Sequence, residues 1–350
     1  MKKMLAMLLA LVMILGLAAC ASTKPAADAT ATSEPSNTGD SASAETSAEA
    51  SDAAPAESGK TYTVGVCQLV QHEALDAATQ GFVDALKEAL GDAVTIDVQN
   101  ASGDSVNCGT IVNGFVAKGV DLIMANATPA LTAAVSATAD IPILGTSITA
   151  YGVALDIDDF SGTVGGNVSG TSDLADLQKQ AQMILDWFPE TKTVGLLFCS
   201  AEPNSRYQID EVRKALEAQG VTCEEFAFTD SNDVSSVTQK AADFSDVVYI
   251  PTDNTAASNT EAIANVLIPA GVPAICGEEG LCRGCGVATL SISYYDLGVT
   301  TGKMAAKILK GEANISEMPV EYTDATPKYN ASICDQLGIT PLDGYEAIEG

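Results

Sequence analysis

The stretch Thr61–Leu90, TYTVGVCQLVQHEALDAATQGFVDALKEAL, indicates the fold of the region that follows it. Thr63–Leu69 is a short run of apolar and β-branched residues, which is typical of a buried strand. After a polar loop, apolar side chains recur at helical spacing at Leu75, Ala78, Phe82, Leu86 and Leu90. A strand, a loop and an amphipathic helix open a βαβ unit. Because ligands of such sheets bind beyond the carboxyl ends of the strands, we predict that Gln68 and His72 lie at a ligand cleft.

The same alternation of short strands and amphipathic helices continues to a helix predicted at Leu297–Lys310. Helices between short apolar strands indicate an α/β fold with parallel sheets. A chain of 350 residues exceeds what a single core supports, so we predict two lobes. The Gly-rich segment from Asp156 to Asp173 is predicted to be irregular and to cross between them.

Composition and motifs argue against several classes of protein. The chain has 17 Lys and Arg against 46 Asp and Glu, a net charge of −29, which disfavours nucleic-acid partners. It contains no GxSxG, Walker A or strand-linked GxGxxG motif, and its single histidine, His72, leaves no catalytic triad. We therefore predict no catalytic residue and no cofactor.

The first twenty residues, MKKMLAMLLALVMILGLAAC, combine a basic start with a short apolar core. Their end, Leu17-Ala18-Ala19-Cys20, resembles the lipobox of bacterial lipoproteins. That resemblance implies a signal peptide at residues 1–19, a lipid on Cys20 and an extracytoplasmic, membrane-anchored protein. The alternative is an ordinary secretory signal with an incidental cysteine. Residues 20–59, rich in Ala, Ser, Thr and Glu, are predicted to be a disordered tether.

Eight further cysteines include the pair in Cys282-Arg283-Gly284-Cys285, which has CxxC spacing. A zinc site of this kind requires a second pair of ligands, and the sequence has neither a second CxxC nor a Cys/His cluster. We therefore predict a local disulfide or two free thiols here, and no metal site.

Polar residues follow predicted strands in both halves of the chain and form the candidate binding site. They are Gln68, His72, Thr128, Thr146 and Ser147 in the first half, and Glu202, Asn204, Ser205, Asp253, Asn254, Thr255 and Glu279 in the second. Free N–H groups near Thr128 would receive a carboxylate, and Asp253 would receive an ammonium group. The alternative roles are local: Thr128 and Asn254 as helix caps, Asp253 as a turn residue, and Glu202 and Glu279 as solvated surface.

Several ordered blocks of sequence carry a resemblance that covers nearly all of the region from Thr61 onward. They are GVCQLVQHEALDAATQGF (65–82), GNVSGTSD (166–173), AEPNS (201–205), PTDNT (251–255), GEEG (277–280), SISYYDLGVTTGKMA (291–305) and LGITP (337–341). In these blocks the chain resembles the substrate-binding lipoproteins of ABC importers, in the branch that includes the tryptophan- and tyrosine-type binding proteins. The CRGC sequence after GEEG departs from that family.

The resemblance implies a type I periplasmic-binding-protein fold with two doubly wound lobes joined by three crossings. The first lobe would comprise residues 60–168 and 293–321, and the second residues 169–292 and 322–350. The crossings would lie near Gly166–Ser172, Leu290–Ser293 and Val320–Thr323, and the helix Leu297–Lys310 would return to the first lobe.

The family also implies a ligand, a partner and a mechanism. Its members bind aromatic amino acids, so a zwitterion would lie between the lobes. Thr128 and Ser147 would face its carboxylate, Asp253 and Asn254 its ammonium group, and Glu202, Asn204 and Ser205 would line the second lobe. Hinge closure would capture the ligand for a membrane permease driven by a separate ATPase.

Three alternatives remain open from the sequence. The same fold would serve to bind another solute, such as a nucleoside or a sugar. The chain would instead be a sensor that passes its ligand signal to a receptor. An extracytoplasmic hydrolase would depend on Glu202 or His72 for turnover.

Overall fold

The computed structural model describes residues 59–349, which lie within one compact unit, Ala56–Gly350. The predicted signal peptide, the predicted lipid site at Cys20 and the predicted tether before Gly59 lie outside the described residues. Within residues 59–349, none of the helices combines the length and the apolar character that a membrane span requires.

The bounds of the elements follow the alternation expected from the sequence. The strands are β1 (Tyr62–Gln68), β2 (Val94–Asn100), β3 (Leu122–Asn126), β4 (Ile143–Ile148), β5 (Val168–Ser172), β6 (Thr193–Cys199), β7 (Thr222–Phe228), β8 (Val247–Ile250), β9 (Ala274–Cys276), β10 (Ala288–Ser291), β11 (Glu321–Tyr322), β12 (Thr326–Tyr329) and β13 (Glu346–Ala347). The helices are α1 (Glu73–Leu90), α2 (Ser105–Lys118), α3 (Thr128–Ala137), α4 (Tyr151–Ala154), α5 (Leu177–Trp187), α6 (Pro203–Glu217), α7 (Val234–Phe244), α8 (Asn254–Ala257), α9 (Thr260–Ala270), α10 (Glu279–Cys285), α11 (Tyr294–Leu309) and α12 (Ala331–Leu337). Single 3₁₀ turns occupy Gly91–Ala93 and Ile315–Glu317.

Two sheets form the centres of two lobes, which confirms the predicted α/β architecture. The first sheet has the order β11-β5-β4-β3-β1-β2, and all of its strand pairs are parallel. The second has the order β13-β12-β10-β9-β8-β6-β7, in which only β10 and β12 pair antiparallel. Both sheets are doubly wound. The strand order reverses between β1 and β3 in the first sheet and between β6 and β8 in the second. Ligand crevices form at such switch points, beyond the carboxyl ends of the strands.

The segment predicted to be irregular, from Asp156 to Asp173, contains a strand. Val168–Ser172 pairs with β4 on one side and with β11 on the other, so it belongs to the first sheet. The first lobe therefore extends to Ser172 rather than to residue 168, and it includes Tyr322. Asp173 still belongs to that lobe, because its N–H donates to the carbonyl oxygen of Ile148 at 3.3 Å, and the chain crosses between the lobes at residues 174–176, 292–293 and 323–325. The first crossing was predicted near Gly166–Ser172, because the Gly and Ser residues of β5 do not show the apolar pattern of a buried strand.

Helix α11 packs along α1 and so returns the chain to the first lobe. The two helices approach each other closely at small residues. A Cβ atom at Gly298 would overlap the carbonyl oxygen of Ala78, and one at Gly81 would overlap that of Tyr295. This close packing fixes the start of α11, at Tyr294, against the first lobe.

The CRGC sequence was predicted to lie in a loop but forms most of helix α10. Cys282 and Cys285 lie on the buried side of that helix, and both thiols are free. Among the residues that the structure describes, no group of side chains has the composition of a metal site. The two cysteines therefore anchor α10 to the core of the second lobe, as small apolar side chains do.

Candidate ligand-binding site

A small cavity of about 10 Å³ lies between the lobes and is lined by residues that follow strands. The lining residues are His72, Leu75, Ser147, Thr149 and Asp173 from the first lobe, Asn204, Thr252, Asp253, Asn254, Ala257 and Glu278 from the second, and Tyr294 at the start of α11. That volume admits about one water molecule, whereas small-molecule pockets usually measure ~300–1,000 Å³, so a ligand can enter only when the lobes move apart. This position is the one that the two doubly wound sheets predict.

Four buried polar atoms of the cavity lining have no hydrogen-bond partner within the described part of the chain. They are Nδ1 of His72, Oγ of Ser147, Oδ1 of Asp173 and Oδ1 of Asn204. Leaving such an atom buried and unpaired costs about 1–3 kcal/mol, so native structures rarely tolerate four in one place. Their concentration around one cavity indicates where a ligand supplies the missing partners.

Asp173 provides the negative charge of the first lobe in this cavity. Its Oδ2 accepts a 2.9 Å hydrogen bond from the hydroxyl of Tyr294, while Oδ1 stays unpartnered. Burial raises the pKa of the Asp173 carboxyl, and the hydrogen bond from Tyr294 partly offsets that rise. Among the described residues that line the cavity there is no Lys or Arg. The carboxylate of Asp173 is therefore available to a cationic group of a ligand.

Ser147 reaches the cavity because the edge of β4 is irregular. The pairing of β4 with β5 shifts register between Gly145 and Ile148, and Ser147 has a φ of 55°. A non-glycine residue in the left-handed region is strained by roughly 1–3 kcal/mol, and such strain often occurs at ligand sites. The strained residue Ser147 places its hydroxyl at the cavity, where Oγ has no hydrogen-bond partner among the described residues.

His72 joins the two lobes through a 3.2 Å hydrogen bond between its Nε2 and Oδ1 of Asn254. Asn254 donates its Nδ2 to Glu202 over 2.7 Å, so its Oδ1 is the acceptor and His72 Nε2 carries the hydrogen. Burial lowers the pKa of His72, which favours the neutral imidazole. Its Nδ1 therefore offers a lone pair in the cavity.

Helix α1 directs its first turn at the same cavity. Its N-cap residue, His72, makes no side-chain capping bond, and Leu75 lines the cavity wall. The first N–H groups of a helix have no partner inside the helix and carry partial positive charge. The start of this 18-residue helix can therefore receive an anionic group.

Asp253 and Glu202 hold the backbone of the second lobe together. Asp253 accepts hydrogen bonds from the backbone N–H of Cys199 at 2.6 Å and of Ala256 at 2.8 Å. Burial, followed by the charge of Glu202, raises the pKa of Asp253 to about 8. Glu202 accepts from the backbone N–H groups of Asn254 and Thr255 at 3.0 and 2.9 Å. Both oxygens of Asp253 thus accept from the backbone, whereas Oδ1 of Asp173 has no partner within residues 59–349.

Five of the twelve predicted binding residues line the cavity, and seven do not. The five are His72, Ser147, Asn204, Asp253 and Asn254, and the seven are Gln68, Thr128, Thr146, Glu202, Ser205, Thr255 and Glu279. Thr128 is the first residue of α3 and not its cap, because the N-cap is Ala127.

The side chains of the other predicted residues have partners inside their own lobes. Gln68 bonds to Asp76 and Thr79, and Thr146 bonds to the hydroxyls of Thr171 and Thr301. The amide of Asn204 donates to Ser205, and the Thr255 hydroxyl donates to Glu202. Glu279 forms ion pairs with Arg283 and Lys328.

Sequence reasoning missed seven residues of the cavity lining: Leu75, Thr149, Asp173, Thr252, Ala257, Glu278 and Tyr294. Asp173 ends the block GNVSGTSD, and Glu278 stands next to the predicted Glu279, so both lay within sequences already singled out. Recognising β5 as a strand would have placed Asp173 at its carboxyl end.

A wider cleft of about 520 Å³ opens to solvent beyond Asn254, between residues 102–105 and 229–231. None of the described residues with a buried, unpartnered atom lines it. We therefore assign ligand recognition to the smaller cavity.

Comparison with known proteins shows the family to which this chain belongs. Residues 63–344 match the family model described as ABC transporter substrate binding protein. A tyrosine-binding protein of Clostridioides difficile (strain R20291) is 33% identical over 276 residues, which cover 77% of this chain and 79% of the relative.

Two solved structures are similar in both sequence and fold. An ABC domain from Streptococcus pneumonia in complex with L-Trp is 33% identical, with a TM-score of 0.78 and coverage of 82% of this chain and 100% of that chain. A ligand-free, open substrate-binding protein with adhesive properties from Clostridium difficile is 34% identical, with a TM-score of 0.63. The match covers 83% of this chain and 99% of that chain.

Proposed function

This chain belongs to the family of ABC transporter substrate-binding proteins, and from that premise we propose that it captures a zwitterionic aromatic amino acid between its lobes. Proteins of this family are extracytoplasmic. The captured amino acid would pass to a membrane permease that a separate ATPase drives.

The observation that carries the proposal is the unpartnered Oδ1 of Asp173 in a cavity whose described lining has no cationic side chain. An ammonium group would pair with this carboxylate by a charge-assisted hydrogen bond. The carboxylate of the same ligand would lie at the N–H groups that start α1, beside Leu75. The names of two relatives, which report tyrosine and L-Trp, support an aromatic side chain.

Binding across both lobes would drive closure. A ligand shifts an equilibrium only by its difference in affinity for the two states, so it must touch both lobes of the closed form. Asp173 on the first lobe and Asn204 on the second offer such contacts. A micromolar ligand supplies about 8 kcal/mol in total, part of which would favour the closed form.

Isothermal titration calorimetry with tyrosine, tryptophan, a sugar and a nucleoside tests the proposal. We expect binding of at least one aromatic amino acid, and loss of roughly tenfold or more in affinity for Asp173→Asn, which removes the charge and keeps the shape. Binding of only the sugar or the nucleoside would refute the ligand class. We also propose binding without turnover, so the ligand should be recovered unchanged by chromatography after long incubation.

We further propose that a lipid on Cys20 anchors the chain to the membrane, from the sequence Leu17-Ala18-Ala19-Cys20. Cys20→Ala should release the protein into the soluble fraction of the cell envelope, because a signal segment that is cut without lipid leaves no anchor. Full retention in the membrane fraction would exclude the lipid anchor. Import of labelled ligand into cells that lack this chain would distinguish transport from sensing.

A further inference from the structure

We propose that Asn204 selects aromatic amino acids whose side chain carries a hydrogen-bond donor, such as the phenol of tyrosine or the indole of tryptophan, over phenylalanine. The inference rests on the proposed function and names the group that sets its specificity. The four unpartnered atoms of the cavity and the fixed orientation of one amide support it.

The orientation of the Asn204 amide is determined by its neighbours. Its Nδ2 donates to the carbonyl oxygen of Thr252 at 3.1 Å and to Oε2 of Glu202 at 3.3 Å, and both of these atoms only accept. Rotating the amide would place its oxygen against these two acceptors, which costs both hydrogen bonds. Asn204 is only 5% exposed, so water does not replace them. Oδ1 therefore points away from this network as an acceptor.

The network behind Asn204 is itself held on several sides. Gln208 donates to the carbonyl oxygen of Thr252 at 3.0 Å and to that of Asn204 at 3.1 Å. Glu202 is fixed by the backbone N–H groups at the start of α8. The acceptor that Asn204 presents is thus preorganised, which makes its discrimination between ligands sharper.

The number of unpartnered acceptors in the cavity exceeds the number of donors on a ligand's ammonium group. Asn204 is therefore assigned a donor on another part of the ligand. The first lobe supplies three unpartnered atoms that can accept: Oδ1 of Asp173, Nδ1 of His72 and Oγ of Ser147. An ammonium group has three N–H donors, which equals the number of acceptors that the first lobe offers. Oδ1 of Asn204 is the fourth atom, lies on the second lobe, and needs a donor from another part of the ligand. In an aromatic amino acid that donor is the phenol O–H or the indole N–H.

Phenylalanine would leave Oδ1 of Asn204 buried without a partner. Sites built to bond a hydroxyl or N–H group reject analogues that lack it, because the buried protein group then stays unpaired. We expect the full chain to bind tyrosine or tryptophan at least roughly tenfold more tightly than phenylalanine.

Calorimetry on the full chain with tyrosine, tryptophan, phenylalanine and 4-fluorophenylalanine tests the proposal on the unaltered protein. Preference for a donor-bearing ligand over both analogues supports it, and equal affinity for phenylalanine overturns it. Asn204→Leu keeps the approximate shape of the side chain and removes the acceptor. It should weaken binding of the preferred ligand, so that its affinity and that of phenylalanine differ by no more than roughly threefold. A parallel loss for all four ligands would mean that Asn204 holds the ammonium group, and would overturn the proposal.

Asn330→Leu is the matched control, since Asn330 is a buried asparagine of the second lobe outside the cavity. It should lower stability and leave the affinity ratio unchanged. If the unaltered chain binds none of the four amino acids, the proposed function itself fails. If it binds them without preference, only the assignment to Asn204 fails.

Discussion

The hydroxyl of Tyr294 donates a 2.9 Å hydrogen bond to Oδ2 of Asp173, across two of the three segments that join the lobes. Asp173 stands where the chain leaves the first lobe after β5, and Tyr294 stands where it returns in α11. The carboxylate assigned to the ligand is thus oriented by a residue at the hinge. If Asp173 binds the ligand as we propose, this contact would couple binding to the geometry of the hinge.

Removing the Tyr294 hydroxyl should weaken ligand binding without unfolding the protein. Tyr294→Phe takes away one hydrogen bond to a charged group, worth about 1.5–3 kcal/mol, so we expect affinity to fall by roughly ten- to hundredfold. Calorimetry with the preferred amino acid measures the change. The neighbouring Tyr295→Phe is the control, because its hydroxyl bonds to Asp84 on the surface of the first lobe. Equal effects of the two variants would contradict the role of Tyr294.

The Arg283–Glu73 ion pair joins the lobes and should favour closure. Nη1 of Arg283 lies 3.2 Å from Oε1 of Glu73, at side-chain exposures of 38% and 49%. Exposed pairs contribute about 0–1 kcal/mol, so Glu73→Gln should weaken ligand affinity by no more than roughly fivefold. The effect should vanish at high salt, which screens exposed charges.

The control for this pair is Lys118→Gln, which breaks an ion pair with Asp97 inside the first lobe. Because that pair is present in both open and closed forms, its loss should leave ligand affinity unchanged. Calorimetry at low and high salt measures both variants. A loss of affinity in Glu73→Gln that persists at high salt would show that the charge pair is not the cause.

The sequence predicted the scaffold of the site better than its chemistry. His72 and Ser147 were identified because they follow or end apolar strands, and strand ends meet at the crevice of a doubly wound sheet. Asp253 lines the cavity, and its predicted role as the ammonium partner stays a prediction beside our proposal for Asp173. A carboxylate after a strand serves equally as a helix cap or as a ligand partner, and only the positions of the Cys199 and Ala256 N–H groups decide between them.

Asp173 and Glu278 were missed for two different physical reasons. β5 contains Gly and Ser in place of apolar residues, because it is shielded by Tyr151 and β11, and so it lacks the pattern of a buried strand. Glu278 and Glu279 are adjacent, and which one enters the cavity depends on where α10 begins. Helix boundaries are uncertain by one or two residues even in structures.

Close packing of α1 against α11 should make Gly298 intolerant of a side chain. A Cβ atom there would overlap the carbonyl oxygen of Ala78, so Gly298→Ala should destabilise the fold by about 1–3 kcal/mol through overpacking. Thermal unfolding measures the loss. Gly114→Ala on α2 is the matched control, since nothing lies within 4 Å of its added methyl group. That variant should stabilise the fold by about 0.5–1 kcal/mol, and a stabilised Gly298→Ala would contradict the packing described for α11.

Glu278 should make the stability of the ligand-free protein depend on pH. It caps α10 by accepting from the N–H groups of Gly280 and Leu281, and burial raises its pKa from 4.5 to about 7. Between these values the folded state keeps a proton that the unfolded state has lost. This contribution to the free energy of unfolding is therefore full below pH 4.5 and falls by at most about 1.4 kcal/mol per unit as the pH rises to 7.

Burial lowers the pKa of His72, so the contribution of His72 to stability rises with pH, opposite to that of Glu278. Both the parent and Glu278→Gln contain His72, so the difference between their unfolding free energies isolates the contribution of Glu278. The difference, parent minus variant, should fall steadily from pH 5 to 7 and then level off. Glu225→Gln is the control, since a hydrogen bond from Arg206 lowers the pKa of Glu225 below 4.5. Its stabilisation is lost only at more acidic pH, so its difference should stay flat over the same range. A flat difference for Glu278→Gln as well would mean that the buried carboxyl is ionised at pH 5, and that Glu278 adds a second negative charge to the cavity beside Asp173.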